Sequence, residues 1–345
     1  MSVYPIHNQD SQTSYKKLIR PSLLSILGLV ISACTNIVPS ATHAQIQPVP
    51  IAPKVALVLG GGGAKGFAHV GVIKALEESG ITPTLVVGTS VGSLVGSLYA
   101  SGYTPQQLEQ LALTTPDSEL TDFVLSNQGF IEGIKLRNFI NAKVGGRTIE
   151  GFPISFAAIA AEKDTLQKAV FTTGDAGLAV QASCSVPNIF IAPRIPEKVG
   201  KKYIDGGVVS LIPVDSARDL GADIIIAVDV TVPTSSKKNM TSNLLPAITS
   251  LSSFWGLLEN NLASNIASNN IASNTTYSGT NHRSSMRNER GRADIVITPD
   301  VGHISSLDTS QRSALITAGT QATTPQINAI KKLIREKSNS KYVTL

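Results

Sequence analysis

Lys54 to Ser79 reads KVALVL GGGGAKG FAHVGVIKALEES, and its three parts decide the fold. Lys54 to Leu59 is a short, continuous aliphatic and β-branched run, the form expected of a strand buried on both faces. Gly60 to Gly66 follows as a glycine-rich loop. Phe67 to Ser79 then places Phe67, Val70, Ile73 and Leu76 at helical spacing, and Gly80 supplies the stop. The unit repeats at once. Thr84 to Val87 predicts a second strand, Gly88-Thr89-Ser90-Val91-Gly92 a second tight turn, and the apolar run to Ala100 a second helix. Working outward, a helix is expected near Pro105 to Leu113 and strands at Ile154 to Ala160 and Ala169 to Thr172. A helix near Ala176 to Ser183, a buried strand at Ala222 to Val228 and a last strand at Asp294 to Thr298 complete the pattern. Strands alternating with helices over this length predict an α/β fold, a doubly wound and mostly parallel sheet flanked by helices.

A chain of 345 residues accommodates about two domains at most. With 42% hydrophobic and 15% charged residues it buries a sizeable core, which excludes global disorder. The net charge of +5 is mild and spread out, so no nucleic-acid partner is expected. Two cysteines, Cys34 and Cys184, exclude a disulfide scaffold and a thiolate zinc cluster. Cys184 lies in an apolar context and reads as a small packed residue. Lys16, Lys17 and Arg20 precede the apolar stretch Ser22 to Ala33, which is too short to span a bilayer and reads as the core of a secretory leader. It ends in Ile31-Ser32-Ala33-Cys34, which resembles the lipobox of bacterial lipoproteins and makes Cys34 the lipidated residue. On that reading residues 1–33 are a signal peptide, 34–53 a Pro-rich tether, 54–310 the folded domain and 311–345 a C-terminal helix and tail. The protein is then anchored to a membrane surface at the periplasmic side of a bacterial envelope. Cleavage after Thr42-His43-Ala44, giving a secreted or periplasmic soluble protein, and a merely disordered N-terminus are the alternatives. Within the domain, 239–281 is rich in Asn and Ser, with Phe254 and Trp255 near its start. It reads as a weak helix or a loop. Ile327 to Lys337 reads as an amphipathic basic surface helix.

Two motifs carry chemistry. Gly61-Gly62-Gly63-Ala64-Lys65-Gly66 is formally G-x-G-x-x-G between a strand and a helix. Its exposed N–H groups suit either a dinucleotide pyrophosphate or the oxyanion of an acyl-transfer intermediate. The nucleotide reading needs a carboxylate at the end of the second strand, which is absent, and a Walker A loop needs Ser or Thr after Lys65, where Gly66 stands. The oxyanion reading is therefore preferred. Gly88-Thr89-Ser90-Val91-Gly92 is a G-x-S-x-G nucleophile elbow in strand-to-helix context, which lifts the Ser90 hydroxyl to a helix N-terminus. The elbow needs a base. Of the five histidines, His7 and His43 lie in the leader region, His69 precedes Ser90 and His282 lies in the low-complexity stretch, so His303 is the one triad candidate. The other candidate is Asp205, between Tyr203-Ile204 and Gly206-Gly207, the setting of a carboxylate at a tight turn after a strand.

The three blocks in this order resemble the patatin-like phospholipase family, particularly its bacterial members. The similarity runs from about Val55 to Asp308 and includes VLGGGGAKGFAHVGV (58–72), the Ser90 block, QASCSVPNIF (181–190), YIDGGVVSLIPVDSARDLGADIIIAVDV (203–230) and ADIVITPD (293–300). The resemblance implies a serine lipid acyl hydrolase with a Ser–Asp dyad. Ser90 would be the nucleophile and Asp205 the proton acceptor. Gly61, Gly62 and Gly63 would form the oxyanion hole, and Gly66 would admit the following helix. It implies a phospholipid or other acyl ester as substrate and no cofactor or metal. Asn188 departs from the family, which commonly has Gly after this proline. A free Asp titrates at about 3.9, too low for a good base at neutral pH, so Asp205 is expected to be partly buried. The alternatives are a Ser–Asp–His esterase using His303 and a non-catalytic envelope lipoprotein that keeps the fold.

Overall fold

The computed structural model describes residues 52–232 and 289–339, together with the short strand pair Val49–Pro50 and Tyr342–Val343. The leader and Cys34, most of the tether, and the 239–281 segment with Phe254 and Trp255 lie outside the described residues.

Eight strands form the sheet: β1 Val55–Leu59, β2 Leu85–Thr89, β3 Ser155–Glu162, β4 Lys168–Phe171, β5 Arg194–Ile195, β6 Lys201–Asp205, β7 Ile224–Val228 and β8 Ile295–Ile297. Its parallel body runs β3-β2-β1-β7-β8. Every residue of β1, β2 and β7 is buried, as the unbroken aliphatic sequences of β1 and β7 demand of strands covered on both faces. β4 and β6 run antiparallel to β3, and β5 pairs with β6.

The helices are α1 Phe67–Glu78, α2 Val91–Ala100, α3 Pro105–Thr114, α4 Ile134–Lys143, α5 Ala176–Ser183, α6 Val214–Asp219, α7 Arg312–Thr323 and α8 Ile327–Asn339. Alternate strand residues divide between two cores. Val55, Leu57, Leu59, Val86, Ile224 and Ile226 join the larger one, with residues of α1 to α5, α7 and α8. Ala56, Val58, Leu85, Val87, Ile225 and Ala227 join the smaller one, with Val214 and Ala217 of α6. The sheet is thus covered on both faces. The chain runs outward from β1 through β2 to β3, then returns to the far side of β1 as β7. The carboxyl end of β1 is consequently the topological switch point, where such sheets place their sites.

The predicted elements are found with ends moved by at most two residues; β2, for one, extends through Thr89. Helices α4, α6 and α7 have no counterpart in the sequence reading. α7 (RSALITAGTQAT) has few large apolar residues; it is held by a close crossing with α1. A Cβ on Gly71 would lie 1.8 Å from the Ile316 carbonyl oxygen, and one on Gly319 would lie 2.0 Å from that of Ala68. Gly319→Ala must push the two helices apart, so a loss of about 1–3 kcal/mol is expected in urea unfolding. A change within about 0.5 kcal/mol would contradict this crossing.

Candidate active site

Ser90 is the single residue between the end of β2 and the start of α2. Its backbone, at φ 55 and ψ −129, lies in the left-handed half of conformational space that side chains disfavour. The flanking glycines make the turn possible. A Cβ on Gly88 would sit 2.4 Å from the Gly92 oxygen, and one on Gly92 would sit 2.1 Å from the Leu59 oxygen. Hydrogen bonds fix the turn from both sides. The Ser90 N–H donates to Ser183 Oγ (2.9 Å), which donates to the Ile159 oxygen of β3 (2.6 Å), and Ser93 Oγ donates to the Ser90 oxygen (2.7 Å). Gly66 packs against Val91: a Cβ there would lie 2.3 Å from Val91 Cγ2, so this glycine admits helix α2, which Ser90 precedes, rather than the helix that follows it.

Strand pairing brings Asp205 to the same place. Along β3, residues 155–159 pair with β2 and 160–162 pair with β6, while β4 pairs with 158–161. A strand has two edges, so β4 holds one of them and β2 and β6 share the other. Where β2 ends at Thr89, opposite Ile159, β6 takes over with Asp205 opposite Ala160. Gly206 permits this closeness, since its Cβ would fall 2.2 Å from the Ile159 oxygen.

Asp205 is completely buried. Oδ1 accepts the Gly207 N–H at 2.7 Å, and Oδ2 has no hydrogen-bond partner of ordinary geometry. Burial drives its pKa up to about 7, with the neighbouring Ser90 hydroxyl and the Gly207 N–H restraining the rise. The serine is therefore near enough to act on the carboxylate, although the pair is not closed into a regular hydrogen bond.

The glycine loop lies against Ser90, with a Cβ on Gly61 placed 3.3 Å from Ser90 Cβ. Its N–H groups are not equivalent. Gly61 N–H donates to the Leu211 oxygen (3.0 Å) and Ala64 N–H to the Ser306 oxygen (2.8 Å). Gly62 and Gly63 have no acceptor among the described residues, which leaves these two amides free to receive an anion. Gly63 has φ +58, and a Cβ on Gly62 would meet Val230 Cγ2 at 2.4 Å. His69, fully buried on α1, donates through Nε2 to the Gly60 oxygen at 2.8 Å and so holds the loop from below. Burial lowers its pKa to about 4, which keeps it neutral.

His303 is exposed. It lines a separate surface cavity with Thr298, Asp300 and residues of α7, and no histidine is among the groups that set the pKa of Asp205. Cys184 is buried, its thiol pKa raised by burial and by the Asp205 charge. Asn188 has φ 66, which explains the usual glycine there, since Asn is among the side chains that best tolerate left-handed backbone. Sequence reasoning assigned no role to Ser183, Leu211 or His69. Small hydroxyls and backbone carbonyls leave no spacing signal.

The patatin-like phospholipase family model matches residues 57–218, which contain the glycine loop, the elbow and Asp205. The chain carries a patatin-like phospholipase domain. This domain is 34% identical over 211 residues to the patatin-like phospholipase domain-containing protein ZK370.4 of Caenorhabditis elegans, covering 59% of this chain and 15% of that protein. It is 33% identical over 180 residues to an uncharacterised NTE family protein of Mycobacterium tuberculosis, covering 52% of this chain and 49% of that protein. The chain thus spans half or less of the relatives it matches. Among solved structures, VipD from Legionella pneumophila superposes with a TM-score of 0.54 at 14% identity over 81% of this chain and 67% of that one, a likeness of fold alone.

Proposed function

We propose that the patatin-like domain hydrolyses fatty acyl esters of lipids with Ser90 as nucleophile and Asp205 as its base. The observation that carries this reading is a buried carboxylate with one unpartnered oxygen beside the serine of a strained elbow. In this scheme Ser90 Oγ attacks the ester carbonyl and passes its proton to Asp205 Oδ2. The Gly62 and Gly63 amides receive the oxyanion, each worth about 3–4 kcal/mol in the transition state. Collapse expels the alcohol, which takes the proton back from Asp205. A water activated by the same carboxylate then releases the fatty acid and regenerates Ser90.

A small apolar cavity of about 60 Å³, partly open to solvent, is lined by Phe67 of α1, Leu94 and Leu98 of α2, Leu108 and Leu111 of α3 and Phe139 of α4. Leu94 is one helical turn beyond Ser90. Its lining favours hydrocarbon, and a long acyl chain would have to widen it. Hydrolysis of p-nitrophenyl esters tests the reading. The octanoate should be cleaved with a higher kcat/KM than the acetate, and Ser90→Ala should lose at least about 10³-fold of the rate. No turnover of any acyl ester by the wild type, or full activity in Ser90→Ala, would overturn it.

A further inference from the structure

We propose that the ribbon formed by residues 121–132, together with the basic β5–β6 hairpin beside it, docks the protein on an anionic lipid bilayer. This deepens the lipid-hydrolase reading and rests on it for the substrate, but the docking itself is separable from catalysis. The ribbon is a short antiparallel pair: Phe123 bridges to Ile131, the Val124 N–H donates to the Phe130 oxygen (2.9 Å) and the Glu132 N–H donates to the Asp122 oxygen (3.1 Å). Side chains alternate between faces in such a pair. Phe123 and Leu125 therefore fall on one face and Phe130, opposite Val124, on the other. All three are exposed, at 79%, 103% and 62% of their full surface. The second strand lies against the body of the protein, with Gly129 buried against the Phe190 backbone, so the first strand is the free edge. A ribbon with large apolar side chains on both faces is poorly matched by one flat protein surface, whereas insertion into hydrocarbon by that free edge covers both faces together.

The ribbon is held firmly at its base. Asp122 accepts the Gly133 N–H (2.7 Å) and the Lys135 N–H (3.0 Å), and the Phe130 and Ile131 N–H groups both donate to the Ile189 oxygen. The same contacts tie it to the site. The Ile189 and Phe190 N–H groups donate to the Val186 oxygen, and the neighbouring Ser185 oxygen accepts the Asp205 N–H at 2.9 Å. A bilayer gripping the ribbon would thus lie against the segment whose Ser185 holds the Asp205 backbone.

Charge beside the ribbon selects the lipid. Lys202 Nζ donates to Gln128 Oε1 at 3.2 Å, at the ribbon tip, and the Lys163 N–H donates to the Lys202 oxygen at 2.8 Å. The hairpin that carries Lys202 also carries Arg194, Lys198 and Lys201, and exposes Val199 at 84%. Glu162 is paired with Lys201 and Glu197 with Arg137, whereas Lys163, Lys198 and Lys202 have no carboxylate partner among the described residues. Unpaired ammonium groups on long apolar stems, beside protruding aromatic residues, complement the phosphates of anionic headgroups.

The test is vesicle co-sedimentation of the full chain carrying Ser90→Ala and Cys34→Ser, so that neither turnover nor an acyl anchor contributes. Phosphatidylcholine vesicles with phosphatidylglycerol should pellet more protein than phosphatidylcholine alone, and added salt should weaken binding. Leu125→Ser with Phe130→Ser, and separately Lys198→Gln with Lys202→Gln, should each lower the partition coefficient at least roughly tenfold. Thermal melts should be nearly unchanged, because Leu125, Phe130 and Lys198 are exposed and Lys202 is half-buried with only a surface hydrogen bond to Gln128. In the Ser90 background, hydrolysis of a dissolved short-chain ester should be unchanged by either pair while hydrolysis of vesicle lipid falls. Equal binding to both vesicle types, or full binding by the ribbon pair, would overturn the docking surface. Absence of ester hydrolysis with intact vesicle binding would instead overturn the hydrolase reading and leave the docking surface standing.

Discussion

Asp205→Asn should lose activity and gain stability. If Asp205 is the base that takes the Ser90 proton, as proposed, it contributes about 10²–10⁴-fold to kcat/KM, and the isosteric amide removes its basicity while keeping its shape. The carbonyl oxygen of Asn can still accept the Gly207 N–H that now reaches Oδ1. The stability effect has the opposite sign. In the unfolded chain the carboxyl titrates at about 3.9, whereas burial raises it to about 7 in the folded protein. Below the lower value both states hold the proton. As the pH rises through the window, the unfolded chain releases its proton first and the folded state loses stability, until both are ionised above about 7. The accumulated cost is up to about 4 kcal/mol at about 1.4 kcal/mol per pKa unit. Asp205→Asn removes it, so the variant should melt above the wild type at pH 8, with the gap narrowing toward pH 4. A variant that is both inactive and less stable at pH 8 would mean that Asp205 supports the fold rather than the chemistry.

The second large effect is on the pH–rate profile. If Asp205 must be ionised to act, kcat/KM for a soluble ester should rise tenfold per pH unit up to about 7 and then level off. At pH 5 it should stand about 100-fold below the plateau. An ordinary exposed carboxylate would give a plateau already complete near pH 5. A histidine base would titrate at about 6.5 and produce a similar limb, so the variants decide between them. His303→Ala should leave both the plateau and the limb in place, because that ring is exposed in another cavity. The opposite result, a lost limb in His303→Ala, would assign the base to the histidine.

Much of this was legible in the sequence because it is local. KVALVL followed by a glycine run and an amphipathic stretch specifies a strand, a loop and a helix within one segment, and GTSVG specifies an elbow because few other residues fit its backbone. Asp205 was legible only in part. YIDGG marks a turn after a strand, but nothing local says that β6 continues the edge of β3 where β2 stops. That register creates the meeting with Ser90. The clamp from Ser183 through the Ser90 N–H to Ile159 is likewise long-range. So is the capture of the Gly61 amide by Leu211, which narrows the free donors of the loop from three to two. α7 escaped notice because glycine-to-glycine contact with α1 holds it, and that contact leaves no apolar period to read.

Ser90 as an activated nucleophile is tested most directly by fluorophosphonate labelling of the purified protein, followed by mass mapping of the modified peptide. The dyad predicts one label, on Ser90, formed readily at pH 8, much more slowly at pH 5 and scarcely at all in Asp205→Asn. A label on another serine, no label at all, or undiminished labelling of Ser90 in Asp205→Asn would contradict it.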